Sequence, residues 1–134
     1  MTWMLNSDRP IYAQIIEKIQ TDIVSGIYHA GDKLPSVREL AAQASVNPNT
    51  MQKALSELER DGLLYSQRTS GRFITEDREM IQNMKQELAK EQITLFLEKM
   101  NNLGFKKEET FQFIQQVLGD EKNWTGRSWR VTGG

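Results

Sequence analysis

Cysteine is absent from this chain of 134 residues, and histidine occurs once, at His29. Without cysteine the chain has no disulfides and no thiolate metal ligands, which suits a reducing cytoplasm. His29 has no second metal ligand or catalytic base spaced around it, and neither Ser36 nor Ser70 has a partner base in its sequence neighbourhood. The sequence therefore predicts no metal site, no cofactor and no enzymatic activity.

Long apolar runs are also missing, so the sequence predicts neither a membrane-spanning helix nor the core of a signal peptide. Charge of one sign is not in excess, because 17 lysines and arginines face 18 acidic residues, which argues against a general polyanion binder. Two windows nevertheless hold basic residues without acids: residues 45–56 with Lys53, and residues 65–75 with Arg68 and Arg72. Such windows suit a phosphate-binding face, although chance clustering accounts for them equally well.

Helix caps and apolar spacing predict three helices in the first half of the chain, over residues 10–25, 36–45 and 47–62. Isoleucine at every fourth position marks the buried stripe of the first helix. Ser36 begins the second helix with a capping box, since a glutamate follows three residues later. Asn47, followed by proline, is a strong cap for the third.

A β-hairpin follows the third helix. Two short apolar segments, residues 63–65 and 72–75, flank a turn at residues 69–71 and predict a two-stranded wing. Three helices with a wing form a winged helix-turn-helix, so the predicted fold is mainly α with a small β-hairpin. In a helix-turn-helix the second helix of the motif enters the DNA major groove with its N-terminus first.

Polar residues are concentrated where such a domain meets DNA. Asparagine and glutamine pair with adenine, threonine contacts phosphate or the thymine methyl, and free N–H groups at a helix start attract phosphate. The candidate DNA-binding residues are Ser36, Arg38, Asn47, Asn49, Thr50, Gln52, Lys53, Arg68, Thr69, Ser70, Gly71 and Arg72. Taken singly, several have a structural explanation as well, since Asn47 caps a helix and the wing arginines protect an edge hairpin.

Residues 9–75 resemble the DNA-binding domain of GntR-family bacterial transcription regulators. The main matching segments are PIYAQI at 10–15, GDKLPSVRELA at 31–41, VNPNT at 46–50, DGLL at 61–64 and GRF at 71–73. The resemblance implies a dimeric operator binder whose usual mode is repression. It also implies that Arg38, the arginine of the family motif, contacts DNA.

Two more amphipathic helices are predicted in the second half, at residues 76–103 and 107–118. Helices this rich in phenylalanine do not bury their apolar surface alone, so a second copy of the chain is the simplest partner. Packing on their own winged domain is the alternative. The candidate dimerisation residues are Ile81, Met84, Leu88, Phe96, Met100, Phe111, Ile114 and Leu118.

The short second half resembles the small YtrA subgroup of the same family, which implies control of an ABC-transporter operon. The predicted organisation is a DNA-binding domain at residues 1–75, a helical dimerisation or effector region at 76–119, and a flexible tail at 120–134 that contains Trp124 and Trp129.

These features together predict a cytoplasmic, homodimeric transcriptional regulator, most simply a repressor, bound to a palindromic double-stranded operator. Whether the protein binds a small-molecule effector stays open, because the sequence of the second half contains no group of polar residues typical of a ligand site. The alternative is a winged-helix protein–protein interaction module without sequence-specific DNA binding, which predicts an apolar or acidic face on the third helix.

Overall fold

The computed structural model describes residues 3–119 and shows a mainly helical chain with one antiparallel hairpin, which confirms the predicted fold class. The elements in this range are α1 (Ile11–Val24), α2 (Val37–Ala44), α3 (Pro48–Arg60), β1 (Leu64–Gln67), β2 (Gly71–Ile74), α4 (Arg78–Asn102) and α5 (Lys107–Gly119). The chain divides into two compact units, one ending at Glu87 and the other beginning at Leu88. The predicted tail, residues 120–134 with Trp124 and Trp129, lies outside the described residues.

One apolar core organises the first unit. The isoleucine stripe of α1 faces it, together with the small face of α2 and the whole inner face of α3. Burying a large aliphatic side chain of this kind contributes about 1.5–3 kcal/mol. The buried residues from these helices are Ile15, Ile19, Ile23, Leu40, Ala41, Ala44, Met51, Ala54, Leu55 and Leu58.

Caps fix the turn between α2 and α3. The Ser36 hydroxyl accepts a hydrogen bond from the Glu39 N–H at 3.2 Å, and Glu39 Oε1 accepts one from the Ser36 N–H at 3.0 Å. Asn47 Oδ1 accepts a hydrogen bond from the Asn49 N–H at 2.7 Å. Ser45 ends α2 in the left-handed region, with φ of 57°, so the chain reverses within three residues. The predicted starts of both helices are confirmed.

The wing gains a third segment from an earlier part of the chain. In the β1–β2 ladder, Ser66 lies opposite Arg72. The Ile74 N–H donates to the Asp32 carbonyl at 2.8 Å, and the Leu34 N–H donates to the Arg72 carbonyl at 2.9 Å. Residues 31–34 therefore pair with β2, although their turn-like composition predicts no strand.

The N-terminal segment is docked on the same unit. Trp3 is buried, and the buried Gln14 side chain binds the Asn6 backbone twice, donating to its carbonyl at 2.7 Å and accepting from its N–H at 2.9 Å. Trp3 and Asn6 line an open groove together with Asn47 and Thr50 at the start of α3. The segment before α1 thus lies beside the helix-turn-helix.

The first unit extends past the wing into α4. Asp77 caps this helix, because its Oδ1 accepts a hydrogen bond from the Met80 N–H at 3.1 Å. Met80, Ile81 and Met84 are half-buried against the core of the first unit. Two of the predicted dimerisation residues, Ile81 and Met84, therefore already have packing partners within their own chain.

The second unit buries little of its apolar surface. Among its described residues Thr110 alone is buried, and its hydroxyl donates to the Lys106 carbonyl at 2.9 Å. The rings of Phe105 and Phe113 meet with centroids 5.3 Å apart. Its exposed large apolar side chains are Ile93, Leu95, Phe96, Leu103, Phe111 and Phe113. Within residues 3–119, no helix is long and apolar enough to cross a membrane.

Candidate nucleic-acid interface

The first turn of α3 is exposed and polar. Asn49 and Lys53 are exposed, and Thr50 is half-buried beside them. Asn47 uses its side-chain oxygen to cap the helix, so its amide nitrogen is the group left for a ligand. Free N–H groups at this end of a helix also favour a phosphate. The face has neither the apolar nor the acidic character that a protein-binding module would need.

A neighbouring helix constrains the Lys53 ammonium group. Its Nζ lies 4.9 Å from the ring centroid of Tyr12, which α1 presents to α3. A cation over an aromatic face at this distance is attracted by the ring's quadrupole, worth about 0.5–1 kcal/mol where the pair is exposed. The Tyr12 ring therefore favours a position of the exposed Lys53 ammonium group between α1 and α3.

Arg38 stands on the outer face of α2, two residues after the cap. Hydrogen bonds from the backbone and then the side chain of Ser36 lower the pKa of Glu39. The ionised form of Glu39 is therefore favoured in the capping box. Arg38 itself is exposed, and within residues 3–119 its guanidinium has no hydrogen bond or ion pair. It is thus available to a ligand outside the chain.

The tip of the wing is formed by Arg68, Thr69 and Ser70, all of them exposed. Gly71 follows with φ of 105°, a backbone conformation that side chains disfavour, and a Cβ there would lie 3.3 Å from Lys33 Cε. Glycine therefore allows the tip to close against the segment before α2. The Arg68 side chain has no hydrogen bond or ion pair in the described part of the chain.

Arg72, the second wing arginine, is engaged inside the protein. Its Nε donates to Glu59 Oε1 at 2.5 Å, and its Nη1 reaches Gln52 Oε1 at 3.5 Å. Only 17% of its side chain is exposed. Burial raises the pKa of Glu59, but the hydrogen bonds from Arg72 and Ser66 outweigh it, and the net pKa is lowered. Glu59 is therefore held as a carboxylate.

The contacts bring five of the twelve predicted residues together in one region of the first unit. An open groove joins the start of α2 to the wing, with Ser36, Ser70, Gly71 and Arg72 on its walls, and Arg72 extends this group to Gln52 on α3. The same groove contains Lys33, whose exposed ammonium group adds a cation that the sequence does not single out. Its place in the segment 31–41 is the only signal that points to it.

Known proteins resemble this chain in sequence. Residues 11–74 match the model for bacterial regulatory proteins of the gntR family. An uncharacterised transcriptional regulator of Bacillus subtilis, YhcF, is 43% identical over 109 residues, which covers 81% of this chain and 90% of YhcF. The transcriptional repressor YtrA of the same organism is 38% identical over 117 residues, covering 87% of this chain and 90% of YtrA.

Solved structures show the same likeness. A GntR-family transcriptional regulator from Listeria monocytogenes superposes with a TM-score of 0.76 at 41% identity, covering 84% of this chain and 98% of that one. AraR(DBD), in complex with operator ORX1, superposes with a TM-score of 0.51 at 32% identity. The match covers 56% of this chain and 95% of the AraR(DBD) chain.

Proposed function

The chain belongs to the GntR family of bacterial regulatory proteins, and on this premise we propose that it is a dimeric repressor that binds a palindromic operator. Its relatives are transcription regulators, which confirms that it is not an enzyme. The observation that carries the proposal is the exposed polar start of α3, together with two exposed arginines that have no partner in the described chain, Arg38 on α2 and Arg68 on the wing. These groups suit base edges in the major groove and phosphates on either side.

The proposed roles differ between the three elements. Asn49, Thr50 and Gln52 contact base edges, because they lie in the first turns of the helix that enters the groove. Lys53 and Arg68 bind phosphates and fix the register of the domain on the duplex. The AraR(DBD)–operator complex supports operator binding by a related domain, since AraR(DBD) is 32% identical to this chain and superposes on 56% of it.

Dimerisation is proposed through the second unit. Phe111 is 64% exposed and Leu103 is 72% exposed, on helices that bury almost nothing within the described chain. A two-fold axis through these helices covers the apolar side chains and presents two DNA-binding units to two half-sites. Leu88, Phe96, Met100, Ile114 and Leu118 belong to the proposed interface, whereas Ile81 and Met84 lie in the first unit and are already half-buried against its core.

The regulated genes are inferred from the resemblance to the YtrA subgroup, and we propose an ABC-transporter operon. The operator then lies in bacterial chromosomal DNA, so the protein acts in the cytoplasm. Isolating the chromosomal fragments that it binds, and identifying the genes beside them, tests this part directly. Fragments with no transporter gene nearby would contradict it.

The decisive test of DNA recognition is Arg38→Ala, measured by fluorescence anisotropy on a bound promoter fragment. We expect Kd to rise about 5- to 150-fold, because an arginine that contacts a base edge is worth about 1–3 kcal/mol. Arg60→Ala is the matched control, since it removes the same charge at the far end of α3 and should change Kd less than about twofold.

Sedimentation must show the Arg38→Ala variant in the same oligomeric state as the wild type. An unchanged Kd would show that Arg38 does not contact DNA. Failure of the wild type to bind any promoter fragment at low salt, where phosphate contacts are strongest, would favour the protein-binding module instead.

A further inference from the structure

Glu59 is the one acid on α3 that contacts both strands of the wing. Ser66 on β1 and Arg72 on β2 lie opposite each other in the ladder, so their side chains project from the same face. Both donate to the same atom: Ser66 Oγ lies 2.8 Å from Glu59 Oε1, and Arg72 Nε lies 2.5 Å from it. One carboxylate oxygen therefore joins three elements.

The same arginine also reaches the helix that reads DNA. Gln52 lies two turns before Glu59 on α3 and faces the same side of the helix. Its Oε1 receives Arg72 Nη1 at 3.5 Å, while its Nε2 donates to Ser56 Oγ at 3.3 Å. The Arg72 carbonyl is bonded as well, by the Leu34 N–H at 2.9 Å. Arg72 is thus bound through its backbone carbonyl and through the Nε and Nη1 atoms of its side chain.

We propose that Glu59 is a positioning residue for DNA recognition: it holds the wing against α3 through Ser66 and Arg72 and, through Arg72, orients Gln52. Arg72 then acts within the protein, and Arg68 at the wing tip is the arginine that meets DNA. This proposal rests on the proposed operator binding and specifies how that site is kept in shape. Charge-assisted hydrogen bonds are roughly twice as strong as neutral ones, so one carboxylate is enough to hold the wing against α3. We call the contact of Glu59 with Ser66 and Arg72 the lock.

The competing role for Arg72 is direct phosphate binding, and the two roles predict opposite effects at position 59. If Arg72 leaves Glu59 to bind phosphate, removing the acid frees the arginine and reduces repulsion, so Glu59→Ala tightens DNA binding. If Glu59 positions the wing, the same variant weakens binding although it removes a negative charge beside the interface.

The binding experiment compares Glu59→Ala with Glu57→Ala, which removes an acid from the same helix that is paired only with Arg60 among the described residues. We expect Kd to rise about tenfold for Glu59→Ala, the size expected when a coupled hydrogen-bonded pair is broken. Glu57→Ala should change Kd less than about twofold. Equal or tighter binding by Glu59→Ala would overturn the proposal.

A charge exchange separates positioning from a merely structural contribution. Arg72→Glu should weaken binding strongly, because two carboxylates then face each other. The double variant E59R/R72E restores the ion pair with its charges reversed but not the hydrogen bond to Gln52 Oε1, so Kd should recover part of the loss. No recovery would mean that Arg72 itself contacts DNA. If Glu59→Ala folds poorly, Glu59→Gln takes its place in the comparison. Glutamine keeps the shape and one acceptor, so its Kd should lie between those of the wild type and Glu59→Ala.

The lock is also measurable without DNA, which separates it from the proposed function. Hydrogen exchange at the amides of β1 and β2 should be faster in Glu59→Ala than in Glu57→Ala. If the wild type binds no operator, the proposed function fails and this exchange still decides whether Glu59 holds the wing. Equal exchange in the two variants would overturn the lock itself.

Discussion

The two units of this chain bury their apolar side chains to very different extents. In the first unit Ile15, Leu40 and Met51 are completely buried, and the helices around them are capped. In the second unit the large apolar residues Leu103 and Phe111 are mostly exposed. The first unit therefore has an apolar core of its own, whereas the second leaves large apolar side chains exposed, which supports the proposed dimer interface there. We propose DNA recognition for the first unit and dimerisation for the second.

The largest expected effect tests the core of the first unit. Leu58→Ala should lower the free energy of unfolding by about 2–5 kcal/mol, because it leaves a cavity at a fully buried site. Leu103→Ala should leave the unfolding of the first unit within about 0.5 kcal/mol, since it lies in the other unit and is exposed. Hydrogen exchange at the α3 amides, recorded across a urea titration, gives the unfolding free energy of the first unit in each variant. Similar losses would contradict the division into two units.

The next effect tests the dependence of the second unit on a partner. Phe111→Asp should raise the dimer Kd at least thirtyfold, or about 2 kcal/mol, because an interface anchor becomes a buried charge. Gln112→Asp adds the same charge to the adjacent exposed position and is the matched control. Sedimentation equilibrium gives both constants. Equal constants for the two variants would place the interface elsewhere.

A smaller effect concerns the caps that define the first unit. Ser36→Ala should cost about 1 kcal/mol of unfolding free energy, since it removes the acceptor for the Glu39 N–H. Ser70→Ala, on the exposed wing tip, removes the same atom without removing a cap and should cost less than about 0.5 kcal/mol. Thermal or urea unfolding resolves the difference, and a loss of equal size in Ser70→Ala would contradict it.

The smallest expected effect is the pH dependence of the wing. The pKa of Glu59 is lowered from its ordinary 4.5, so its contribution to stability is present above that value. The contribution is lost as the pH falls through the folded-state pKa. Glu59→Gln should therefore be less stable than the wild type at pH 7, and the gap should close in acid below the ordinary value.

Urea midpoints measured from pH 7 down to about 3 follow this change, with Glu57→Gln as the control. A gap for Glu59→Gln that stays constant over this range would show that ionisation of Glu59 is irrelevant to the wing.

Local signals in the sequence predict most of the first unit. The capping residues Ser36 and Asn47 act on neighbours two or three positions away, so their effect is visible in a short window. The isoleucine period of α1 depends only on helical geometry and is equally local. The tip of the wing follows from turn residues that include Gly71.

Contacts between distant residues are what the sequence does not predict. Glu59 and Arg72 are 13 positions apart, and their pairing depends on how the hairpin folds back over α3. Lys33 and the short segment around it join the wing only because β2 has a free edge. The DNA-binding roles of Arg38, Asn49 and Lys53 and the dimerisation surface stay predictions that the experiments above test.

The docked segment before α1 has a practical consequence for measuring binding. Gln14 anchors Asn6 and the core holds Trp3, so the segment that contains these two residues lies beside Asn47 and Thr50. With DNA bound in the proposed way, a purification tag fused to this segment would compete with the duplex for space and would give a falsely weak affinity. The tag belongs at the opposite end of the polypeptide.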